Sequence, residues 1–162
     1  MRYAVLLVLL LWAVPCHADE LTTIIPGPLL SKSFLEKGVG YGVEVSMMYG
    51  SSMGGVGGFT QAEILSKRRR RFALGAQAGS FVGLEAGWAM VTEGEDSSRW
   101  SGPHLGLYGS VGVANMGLRF TIPVENDAGD LPGLDFGVVF SLKLPLTLPN
   151  LEFPTAHDRF YL

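Results

Sequence analysis

The chain has one cysteine in its 162 residues, Cys16. A lone thiol near the N-terminus excludes the disulfide-stapled scaffold of many small exported domains. The three histidines, His17, His104 and His157, have no metal-ligand spacing, so no structural zinc site is expected. GSSMG (50–54) has the G-x-S-x-G spacing, but it reads as a short turn between two strands, whereas a nucleophile elbow leads into a helix. The glycine runs GVGYG (38–42) and GGVGG (54–58) lack the Lys-Ser/Thr ending of a phosphate loop. Basic residues are outnumbered, 12 Lys and Arg against 15 Asp and Glu, for a net charge of −3, which argues against general nucleic-acid binding. No catalytic residue, metal or cofactor is called for. Beyond residue 18, no apolar run approaches the roughly 20 residues of a spanning helix.

The N-terminus has the layout of an export signal. Met1-Arg2 is a short positive start, and AVLLVLLLWAV (4–14) is an apolar run too short to span a bilayer. Cys16-His17-Ala18 then ends on a small residue before Asp19-Glu20. Residues 1–18 are read as a signal peptide cleaved after Ala18; the alternative is a retained anchor. Pro15 stands where a lipobox has a small residue, so lipid attachment at Cys16 is a poor match. Cleavage removes the cysteine and Arg2, leaving an exported, more acidic chain without disulfides.

What is abundant is glycine, 22 residues, all beyond position 18 and interleaved with large apolar residues. In LDFGVVFSLKL (134–144), Leu134, Phe136, Val138, Phe140, Leu142 and Leu144 alternate with Asp135, Gly137, Val139, Ser141 and Lys143. That is the period of a strand with two unlike faces. Related alternation occurs in 39–49, 55–66, 72–78, 82–92, 103–113 and 117–124, and 133–146 completes seven strands. Short turns (50–54, 79–81, 114–117) alternate with longer or more polar links (67–71, 93–102, 125–132).

If this two-faced chain enters a membrane, it does so as a closed barrel, since an open sheet leaves unpaired backbone groups in lipid. An even strand number then requires an eighth. Residues 20–36 are one source, although Pro26 and Pro28 suit an edge better than a closed ladder. The C-terminal stretch LEFPTAHDRFYL is the other, and it would invert which side the loops face. The division expected is signal peptide 1–18, an N-terminal segment 19–37 that includes a candidate first strand, a barrel domain 38–146 and a tail 147–162.

On these features the chain resembles the small, about eight-stranded outer-membrane β-barrel proteins of Gram-negative bacteria. The resemblance covers roughly 38–146 and is architectural. It implies an all-β, antiparallel up-and-down barrel in the outer membrane. Such barrels usually end in a strand with a terminal aromatic residue, whereas this chain ends Phe160-Tyr161-Leu162 after a proline-bearing stretch. Eight strands leave an interior just wide enough for side chains. By parity Glu44, Glu63, Glu85, Arg119, Asp135 and Lys143 point inward, where unpaired charges are costly, so a paired network is expected.

The basic run Lys67, Arg68, Arg69, Arg70 and Arg71 reads either as a solvated turn or as a patch gripping membrane-lipid phosphate, lipopolysaccharide among the candidates. ENDAGD (125–130) clusters carboxylates without calcium-loop spacing and reads as a solvated turn. The function expected is a non-enzymatic outer-membrane protein with a structural, adhesive or surface-interaction role, a monomer rather than an oligomer. Two alternatives stand beside it. One is a soluble periplasmic barrel or sandwich binding an apolar ligand or protein partner, its apolar faces turned inward. The other is a lipid-modifying barrel enzyme using His104 with Ser110 or Glu85.

Overall fold

The computed structural model describes residues 21–34, 38–51, 54–66, 69–92, 99–126 and 133–148. Residues 1–18, read above as a signal peptide, Lys67, Arg68 and the tail beyond 148 lie outside the described residues.

Alternating residues and short turns produce antiparallel strands joined to their sequence neighbours. They are β1 (Leu21–Ser33), β2 (Gly38–Ser51), β3 (Gly54–Ile64), β4 (Arg70–Gly79), β5 (Val82–Val91), β6 (Trp100–Val111), β7 (Ala114–Thr121), the short β8 (Glu125–Asn126), β9 (Asp135–Leu142) and β10 (Leu146–Leu148). The sheet runs β1 through β7 to β9, and β9 pairs back onto β1, closing an eight-stranded barrel. β8 only extends the edge beside β6. β10 continues the line of β9 along β1, so the two form one interrupted closing strand.

The N-terminal segment therefore supplies the eighth strand. The objection from Pro26 and Pro28 is answered by where they sit. β1 pairs with β2 without interruption from Leu21 to Ser33, but its pairing with the closing strand breaks between Ile24 and Leu29. Pro26 accepts there, through its carbonyl, a bond from the Leu144 amide at 3.0 Å. The N and C=O of one strand residue point to the same side, so Pro26, and Pro28 two residues on, face this seam. The amide hydrogens they lack are missing from one ladder only.

Stepping straight across the ladders from Leu21 leads through Gly50, Gly55, Gly79, Gly83, Tyr108, Gly117 and Val139 to Ser31, ten residues further along β1. This offset is the shear that a closed, tilted barrel requires. Several boundaries differ from the sequence reading. Trp100–Gly102 belong to β6 rather than to the loop before it. Ala114–Met116 belong to β7, and the turn is at Gly112, whose φ of 61° lies in the left-handed region that glycine tolerates. β4 begins at Arg70, not Phe72.

The two faces are sharply unlike. Leu74, Val82, Leu84 and Tyr41 are more than half exposed on the outside, and Val43, Leu105, Leu107, Met116 and Phe140 accompany them. Glu44, Glu63, Arg71, Arg119 and Asp135 are buried inside. The apolar side of the closing strand faces outward, and Asp135, Gly137, Ser141 and Lys143 face the interior.

Candidate functional site

Two apolar clusters and an ionic network fill the barrel. At the end with the longer connections, Leu65, Val91 and Trp100 form an apolar cap. Phe59, Ala73 and Ala89 form the second cluster, with the Phe59 ring 5.8 Å from that of His104. The ionic network crosses the middle, and among the described residues the short-turn end is open.

Glu63 is the hub of the ionic layer. Its Oε1 lies 2.7 Å from Arg71 Nη1 and also accepts from Arg119 Nη1, while Oε2 accepts from Ser31. Arg71 further donates to Gln61 Oε1 at 3.2 Å and to His104 Nδ1 at 3.0 Å. With Nδ1 accepting, the His104 proton sits on Nε2, which points at Glu85 Oε2 at 3.8 Å. Ser33 donates to Asp135. Nearer the open end, Lys143 pairs with Glu44, which also accepts from Ser46 at 3.0 Å. Gln61 Nε2 lies 3.5 Å from both Glu44 and Glu85, joining the two groups of charges. A cavity of about 20 Å³ among Glu44, Glu85, His104 and Arg119 has the volume of one water.

Glycine makes room for these charges. Glu63 has Gly42 beside it on β2, Glu85 has Gly106 on β6, and Arg119 lies between Gly106 and Gly137. A Cβ at Gly106 would lie 2.9 Å from Glu85 Oε2, and one at Gly137 would lie 3.1 Å from Arg119 Nε. The glycine-rich face is thus the counter-shape of long charged side chains.

All six residues assigned inward by parity lie buried in this interior. The basic run departs from its reading as a surface patch. Arg71 is fully buried and Arg69 is 4% exposed, its Nε donating to the Thr92 carbonyl at 3.3 Å. These two side chains cannot reach a lipid headgroup; Arg70 points outward. The reason is parity: Phe72 and Leu74 face out, so Arg71 and Arg69 face in. Charge balance carried the same signal. The six assigned residues hold four acids but only two bases, and the two arginines bring the buried set to four of each. Ser31, Gln61 and His104 were also not assigned to the network, because a neutral polar side chain on an inward face reads as filler until its partners are known. His104 hydrogen-bonds Arg71 and Thr121, whereas Ser110 donates to Asn115.

The crystal structure of Neisserial surface protein A (NspA) aligns with this chain at a TM-score of 0.41 and 15% identity, covering 78% of this chain and 96% of that one. No protein-family model matches the sequence, and no curated protein matches it significantly.

Proposed function

We propose that the chain is a non-enzymatic integral outer-membrane barrel whose role is structural, adhesive or one of surface interaction. The observation that carries this reading is the inversion of the usual core: charges sit inside and a belt of Val, Leu, Met and aromatic side chains sits outside. In water, such a belt would be an exposed apolar patch far larger than a soluble monomer carries. In hydrocarbon, it is the favourable face of a closed barrel whose backbone is paired internally.

The soluble alternative required the apolar faces inside, and they are outside. The enzyme alternative set His104 as a base beside Ser110 or Glu85; His104 lies 3.8 Å from Glu85, but it is 1% exposed and bonded to Arg71.

In this reading the short turns are periplasmic and the longer connections face outward. Arg70, exposed at the start of β4, then stands at the outer rim, positioned for phosphate of the surrounding lipid, lipopolysaccharide included. A closed barrel has no free edge to recruit a second copy, which favours a monomer. The test is fractionation. The protein should stay in the pellet through a carbonate wash, and the unheated form should migrate differently from the boiled form. Release into the soluble periplasmic fraction would overturn the reading.

A further inference from the structure

Among the described residues, the barrel interior is hollow at the short-turn end. A cavity of about 510 Å³ is bordered by Thr23, Ile25, Met48, Tyr108, Lys143 and Pro145. Pockets for small molecules span about 300–1,000 Å³. The space exists because the register line around this end passes through glycine after glycine, which contribute no side chains.

Two independent features point to one ligand class. The first is polar. Tyr108 borders the cavity, and among the described residues nothing hydrogen-bonds its hydroxyl. The Lys143 ammonium lies 5.3 Å from the Tyr108 ring centre, its charge balanced by Glu44. An O–H beside a paired ammonium suits an oxygen acceptor, such as the carbonyl oxygen of an acyl group. The second is apolar. Ile25 of β1 and Pro145 lie on opposite sides of the closing seam, where Pro26 and Pro28 have no amide hydrogen to donate. Beyond that seam is the apolar exterior. The wall lacking backbone donors is thus the wall between the cavity and the surrounding hydrocarbon.

We propose that this cavity binds a single acyl chain, with its carbonyl-bearing head at Tyr108 and Lys143, and that the chain enters from the bilayer through the proline-interrupted seam. The inference rests on the outer-membrane reading and goes beyond it by assigning a ligand. The source is a free fatty acid or a single-chain phospholipid, which share the acyl carbonyl.

The test uses the folded barrel in nanodiscs of diacylphosphatidylcholine, with labelled palmitate and lysophosphatidylcholine as separate probes and empty discs as the reference. Saturable binding of either probe is expected, and the probe that binds identifies the source. Tyr108→Phe should weaken binding about fivefold through the lost hydrogen bond. Ile25→Trp should fill the cavity and abolish binding. Pro26→Ala with Pro28→Ala should slow association severalfold. Folding of each variant is checked by the heat-dependent gel shift. Folded, inserted barrel that binds neither probe overturns the proposal, as does equal binding by wild type, Tyr108→Phe and Ile25→Trp. Association unchanged in the proline variant overturns the lateral route. Failure of the wild type to enter nanodiscs overturns the membrane reading itself.

Discussion

Glu63 on β3 and Arg71 on β4 face each other directly across their ladder, 2.7 Å apart, with both side chains fully buried. The same carboxylate also holds Arg119 of β7 and Ser31 of β1. One side chain therefore ties four strands together across the lumen. Glu63→Gln should leave two guanidiniums without their counter-charge. Breaking a buried pair costs roughly 3–5 kcal/mol. Urea unfolding in detergent micelles would measure the loss, and an unchanged midpoint would show that Glu63 contributes nothing to stability.

Arg70 and Arg71 are adjacent in sequence and opposite in orientation. Arg70→Gln should shift stability by less than about 0.5 kcal/mol, as at other exposed sites. Arg71→Gln removes a charge from the buried cluster and should cost several-fold more than that exposed-site limit. Equal midpoints for the two variants would refute the inward placement of Arg71. Arg70→Gln should instead weaken binding to anionic liposomes at low salt, an effect that fades as salt screens it.

Tyr108 lies across Gly83, its cross-strand neighbour, so closely that a Cβ at Gly83 would collide with the phenol ring. Gly83→Ala should therefore destabilise the barrel by about 1–3 kcal/mol, the usual cost of overpacking. Adding Tyr108→Ala should recover part of that loss. A double-mutant cycle reads the coupling, and simple additivity would refute the contact.

Leu74 in the middle of β4 is 67% exposed on the outer face. Leu74→Arg should cost about 2–4 kcal/mol if that position meets the centre of a bilayer. In a soluble protein the same change would be close to neutral. Unfolding from liposomes, compared with wild type, separates the two outcomes.

Much of the architecture is legible along the chain because a strand has a period of two. The alternation in 39–49, 82–92 and 134–144 separates two faces without reference to anything distant, and the alternation of short and long links implies neighbouring antiparallel strands. Glu44, Glu63, Glu85, Arg119, Asp135 and Lys143 share their strands' glycine-rich face by that local rule alone. The rule does not say which face is inside. Closure decides that, because curvature leaves the inner face less room, and only the glycine-bearing faces accept it.

Strand parity was available at Arg71 and Arg69, but a run of five basic residues reads as a loop until β4 is seen to begin at Arg70. Pro26 and Pro28 argued against β1 because a sequence does not tell which of two ladders a missing amide hydrogen would have served. That depends on the seam with the last strand, more than a hundred residues away. The meeting of Glu63 with Arg119, 56 positions apart, depends on the ten-residue shear, a property of the closed barrel that no single strand contains.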